Sequence, residues 1–70
     1  MAAYDTITNE EMERDIADTE AEIATMEREI EGLRLIGDRL SHFKADARVT
    51  GIQQRREFIE KVKKILQERG

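Results

Sequence analysis

From Met12 onward the apolar residues of this 70-residue chain recur at alternating steps of four and three: Met12, Ile16, Thr19, Ile23, Met26, Ile30, Leu33, Gly37 and Leu40. Steps of that kind keep side chains on one stripe of an α-helix and define a heptad seam. Ile16, Ile23 and Ile30 fall at one core position and Met12, Met26, Leu33 and Leu40 at the other, with Thr19 and Gly37 as interruptions. Past Leu33 the stripe broadens, because Ile36 and Phe43 add a flanking row, as expected where a helix meets more than one neighbour. The start of this helix is written locally. Thr8 followed three residues later by Glu11 is a capping box, and Ile7 and Met12 flank it as a hydrophobic staple.

A second amphipathic pattern follows. Asp46 to Gly51 supply turn chemistry, with Thr50 placed to cap a helix and Gln53 in the capping-box position. Beyond them Ile52, Phe58, Ile59, Val62, Ile65 and Leu66 share one face, and basic and acidic residues cover the rest. The pattern predicts an all-α fold: a two-helix antiparallel hairpin with a long helix over about 9–45 and a short one over about 51–69. Residues 1–7 show no periodicity and read as a flexible arm, leaving 8–70 as the single hairpin domain. With the turn near Arg48, Ile52 is expected beside Phe43, Ile59 beside Gly37, Val62 beside Leu33 and Leu66 beside Ile30. Gly32 lies off the seam and is a candidate kink.

Helix lengths then bear on assembly. At 1.5 Å per residue the long helix would span roughly 55 Å and the short one roughly 28 Å, so half of the seam would lack cover within the chain. Each such side chain is worth about 1.5–3 kcal/mol when buried. A homodimer through Met12, Ile16, Thr19, Ile23 and Met26 is the expected remedy, with a parallel or an antiparallel pairing equally compatible with the pattern.

Composition supports oligomerisation over other stabilising devices. A chain of this size holds a marginal core, there is no cysteine to form a disulfide, and His42 is the single histidine. Neither a metal nor another cofactor is expected. No stretch reaches the roughly 20 apolar residues of a membrane span, and the first residues lack the pattern of a signal peptide, so a cytoplasmic location is the default.

Charge is divided along the chain. Residues 1–32 carry eleven acidic against two basic side chains, net −9, and residues 33–70 carry ten basic against five acidic, net +5. The acidic residues suit the start of the first helix and the basic ones the end of the second. The polarity also lets the two helices attract each other.

The residues carry little sign of catalysis. Ser41 and His42 are neighbours, and neighbours on a helix point about 100° apart, which defeats a nucleophile and base pair. There is no phosphate-binding glycine loop. The expected role is non-enzymatic protein binding. Candidate partner-binding residues are Arg34, Asp38, Arg39, His42, Phe43, Arg48 and Val49 around the bend, with Arg55 and Arg56 on the basic helix. Phe43 and Val49 have an alternative role as caps of the hairpin core, and Tyr4 and Ile7 form a second candidate as an arm that orders on binding. Nucleic acid is the rival partner, disfavoured by the net charge of −4 and the acidic residues that interrupt the basic face. A structural coiled-coil adaptor or a nucleic-acid-associated regulator is the alternative function.

A capped long helix from Thr8 to Ala45, a turn at Asp46 to Thr50 and a basic amphipathic helix from Ile52 to Leu66 make the chain resemble the small host-takeover proteins of temperate bacteriophages, in particular the anti-quorum-sensing anti-activators of Pseudomonas phages. The resemblance is one of size, architecture and composition over the whole chain, without a diagnostic motif. It implies a dimeric inhibitor acting in the host cytoplasm. Its implied target is a LuxR-type transcriptional activator, with the ATPase that assembles type IV pili as a second.

Overall fold

A computed structural model of the chain describes residues 7–69. Two helices account for nearly all of them, α1 over Asn9–Ile36 and α2 over Arg39–Arg69, packed against each other as a hairpin. At 1.5 Å per residue helices of 28 and 31 residues are about 42 and 46 Å long. The molecule accordingly measures 47 × 19 × 16 Å, a single layer of two helices.

The start of α1 follows its local code. The Thr8 side chain accepts a hydrogen bond from the Glu11 backbone N–H at 3.1 Å, which satisfies one of the free donors of the first turn. Ile7 packs onto the core, and Met12 is among the most completely buried side chains. Ile7, the last residue of the expected arm, thus lies against the core; the rest of that arm, Tyr4 included, lies outside the described residues.

The bend is not where the turn residues at 46–51 pointed. It is the two-residue link Gly37–Asp38. Gly37 takes the left-handed conformation, φ 79° and ψ 0°, and its N–H bonds to the Leu33 carbonyl at 3.3 Å, closing α1. Asp38 opens α2: its Oδ1 accepts from the Ser41 backbone N–H at 2.7 Å, and its carbonyl accepts from the His42 N–H. Gly37, read as an interruption of a continuous seam, is thus a helix stop, and the long helix over 9–45 is two helices. The residues expected to form a turn lie inside α2. Thr50 there donates from its hydroxyl to the Asp46 carbonyl one turn back, and nothing departs from helix. Gly32 sits within the unbroken α1.

The shifted bend changes every cross-helix neighbour. Glu22 meets Arg55, Glu29 meets Arg48, and the Met26 methyl lies 2.8 Å from where a Cβ on Gly51 would stand. Facing positions therefore sum to about 77. The expected pairs Ile52 with Phe43, Ile59 with Gly37, Val62 with Leu33 and Leu66 with Ile30 belong to a register the fold does not adopt. Gly51 has a packing reason instead: its bare backbone leaves a notch for Met26.

In the observed register α2 shows its own heptad: Ser41, Ala45, Arg48, Ile52, Arg55, Ile59, Val62 and Leu66 step by four and three. Small residues, Ser41 and Ala45, stand nearest the bend and are buried there. The core is formed by Met12, Ile16, Ile23 and Ile30 from α1 with Ala45, Ile52, Ile59 and Val62 from α2. This is the main correction to the dimer seam. Met12, Ile16 and Ile23 are buried by α2 of the same chain, while Thr19 and Met26 are half-buried. With helices of similar length, no half of the seam is left over to require a second chain.

Candidate interaction surface at the bend

Apolar residues that miss the seam collect at one end. Leu35, Ile36, Leu40 and Phe43 are 83, 66, 62 and 71% exposed, and all four lie within six residues of the Gly37–Asp38 bend. Their exposure has a geometric cause. Leu33 occupies the seam, so Leu35 and Ile36, about 200° and 300° further round the helix, both turn away from it. On α2, Ser41 and Ala45 face α1, which turns Phe43, midway between them, outward. Leu40, Phe43 and Ala47, three and four residues apart and all exposed, form a short stripe on that outer side.

The surroundings are basic. Arg34, Arg39, His42 and Lys44 are exposed around these side chains. Asp38 interrupts them, and its carboxyl is held below its usual range, first by the Ser41 backbone N–H, then by the Ser41 hydroxyl, with smaller help from Lys44 and His42. Its charge is thereby committed to the cap.

The candidate residues taken from the sequence divide accordingly. Arg34, Asp38, Arg39, His42 and Phe43 gather at the bend. Phe43 does not cap the hairpin core; the outward turn just described exposes it. Val49 does pack against the core, half-buried. Arg48 and Arg55 are drawn into the fold. Arg48 Nε lies 3.1 Å from Glu29 Oε2 and Arg55 Nε lies 2.9 Å from Glu22 Oε2, and each guanidinium also donates to the carbonyl four residues back, Lys44 and Gly51. Glu22 and Glu29 are one heptad apart, as are Arg48 and Arg55, so the same tie is made twice and fixes the register. Arg56 reaches Glu27 more loosely, at 3.9 Å, and both remain exposed.

A furrow opens on one flank of the hairpin. Near the bend it encloses about 550 Å³ between Ile30, Leu35, Val49 and Ile52, with Arg34 and Arg56 on its rim. A further stretch of about 340 Å³ continues from it past Ile23, Ala24 and Ile59 to Lys63, and the two share Glu27 and Arg56. Sequence reasoning did not single out Leu35, the most exposed large apolar residue among the described residues. The signal was the adjacent pair Leu35 and Ile36, which cannot both face one seam.

Among the described residues no group of His, Asp or Glu side chains is arranged to hold a metal ion, and no helix is long and apolar enough to cross a membrane. Comparison with protein-family models, with curated proteins and with solved structures finds no match to this chain.

Proposed function

We infer that the chain is a non-enzymatic protein-binding module that presents the apolar bend to another protein. The observation that carries this reading is the exposure of Leu35, Ile36, Leu40 and Phe43 together at one end. Large apolar side chains, clustered, exposed and ringed by arginine and lysine, have the composition of an interface centre with a polar rim. The tight two-residue bend holds them on rigid helix ends, so little ordering cost opposes binding.

The basic helix gives weaker support to a nucleic-acid role. Arg48 and Arg55 are engaged by Glu29 and Glu22, and Arg56 lies beside Glu27, which leaves Lys61, Lys63 and Lys64 near the far end of α2, well apart from Arg39 and Lys44 at the bend. Three lysines beside Glu57 and Glu60 make a poor track for phosphates.

Within this reading, the hairpin is an inhibitor that blocks a bacterial host protein by covering an apolar surface on it. The resemblance to phage anti-activators supplies the particular target, a LuxR-type transcriptional activator, with the pilus ATPase as a second. The test is quantitative co-purification from bacterial lysate with the wild-type chain and with Leu40→Asp/Phe43→Asp as baits. Recovery of one stoichiometric host regulator or ATPase by the wild type, lost with the variant, is the expected result. Salt-sensitive retention on DNA with no protein partner would overturn the reading in favour of a nucleic-acid-associated protein.

A further inference from the structure

We propose that the last turns of α1 seat an amphipathic helix of the partner, one whose apolar stripe is flanked by carboxylates, with its closest approach over Gly32. This rests on reading the bend as a binding surface and adds what binds there. The glycines supply the first observation. Gly37 is required by its left-handed φ of 79°, and Gly51 by the Met26 methyl that would meet any side chain there. Gly32 has neither reason: it is exposed inside α1, and a Cβ built on it meets nothing within 4 Å. Glycine inside a helix weakens it relative to alanine, so the chain carries a cost here that nothing within the fold explains.

The place of Gly32 on the helix surface supplies the second observation. Leu35 and Ile36 lie three and four residues on, and Arg28 and Glu29 four and three residues back, so these side chains surround it. Leu35 and Ile36 are 83 and 66% exposed and form an apolar wall beside bare backbone. A hole of that form accepts a large side chain from a facing helix and lets the two backbones come close.

Charge selects the sign of the occupant. α1 holds ten acidic and three basic residues, yet two of those three, Arg28 and Arg34, stand within its last nine residues. With Arg39 and Lys44 at the start of α2 they make four exposed cations, none of which enters an ion pair among the described residues. The carboxylates at this end are fewer and partly engaged. Glu29 is held by Arg48 and Asp38 by the Ser41 N–H, which leaves Glu31 and Asp46 against the four. A helix flanked by carboxylates complements that excess, and one flanked by lysines is repelled by it. Arg28, one turn from Gly32, is placed to meet a carboxylate one turn from the side chain seated over the glycine.

The test uses the full chain and two synthetic peptides of about three heptads, both with leucine on the apolar stripe, one flanked by glutamate and the other by lysine. Fluorescence anisotropy is expected to show binding of the glutamate peptide, with the lysine peptide about tenfold weaker or more, and added salt should narrow the gap. Gly32→Gln puts a good helix former into open space, so it should melt at or above the wild-type temperature while weakening the glutamate peptide about tenfold. Arg28→Glu/Arg34→Glu should remove the preference between the peptides. Failure of the wild type to bind the glutamate peptide, equal binding of both peptides, or wild-type binding by Gly32→Gln would each overturn the proposal. A chain that gives any of these results yet recovers a host protein through Leu40 and Phe43 would lose the acidic helix and keep the bend as a binding surface.

Discussion

The two ends of this hairpin treat apolar residues in opposite ways. Along the seam, Met12, Ile16, Ile23, Ile59 and Val62 are exposed by no more than 8%, whereas Leu35, Ile36, Leu40 and Phe43 around the bend are exposed by 62% or more. The residue types are alike, so hydrophobicity does not distinguish the groups. Position in the heptad does: the first group falls on the stripe facing the other helix, and the second falls off it, where the bend leaves no third element to cover them. The first group makes the fold. The second is available to bind.

Substitutions at the two ends should separate these roles. The largest effect is expected from Val62→Asp or Ile16→Asp, which bury an unpaired carboxylate in the core. At about 3–5 kcal/mol either equals the whole stability of so small a domain, and helical circular dichroism should collapse. Next come the paired ties. Arg48→Glu/Arg55→Glu should cost about 1–2 kcal/mol in urea titration, and adding Glu22→Arg/Glu29→Arg should restore most of it, because the pairs are half-exposed and only their sign and register matter. Glycine substitutions follow. Gly37→Ala places a side chain at φ 79° and should destabilise by about 1 kcal/mol, while Gly32→Ala, with nothing within 4 Å of its new methyl, should stabilise by about 0.5–1 kcal/mol. By contrast, Leu40→Asp or Phe43→Asp should leave the melting curve within about 0.5 kcal/mol of wild type.

Acid offers a finer separation at the bend itself. The Asp38 carboxyl is lowered from its unfolded value by the Ser41 N–H and hydroxyl, so the ionised cap binds fewer protons in the folded state. Its contribution is present above the ordinary carboxylate range and is lost as pH falls through the lowered folded value. The stability gap between wild type and Asp38→Ala, measured by urea titration, is therefore expected at neutral pH and should close in strong acid.

The comparison also explains how far the sequence could be read. Thr8, the isoleucine and methionine seam as far as Leu33, and the antiparallel hairpin were legible because cap and heptad are local signals. The bend was not, because Gly37 falls on a seam position and Leu40 continues the four-and-three spacing beyond it, so the pattern ran through the turn. Asp46, Thr50 and Gly51 looked more like a turn. What decided between them is tertiary: a bend at Gly37–Asp38 matches 28 residues against 31 and gives the α1 seam cover along its length, with the Gly51 notch receiving Met26. Arg48 and Arg55 hid the heptad of α2, since charged residues at seam positions read as surface until their glutamate partners are known. The bend surface was half visible for the same reason. Phe43, Arg34, Arg39 and His42, candidates from the sequence, do lie at the bend, whereas the spacing of Leu40 reads as seam and Leu35 carries no periodic signal.

Hydrogen exchange by the chain, alone and in the presence of the protein partner proposed for the bend, tests the central claim most directly. The amides at the helix ends around the bend should exchange faster than those of the seam when free, and binding should slow exchange over residues 35–47 while leaving the seam amides of residues 12–30 nearly unchanged. New protection confined to the Lys61 to Lys64 face, or spread along the acidic start of α1 with none at the bend, would contradict it.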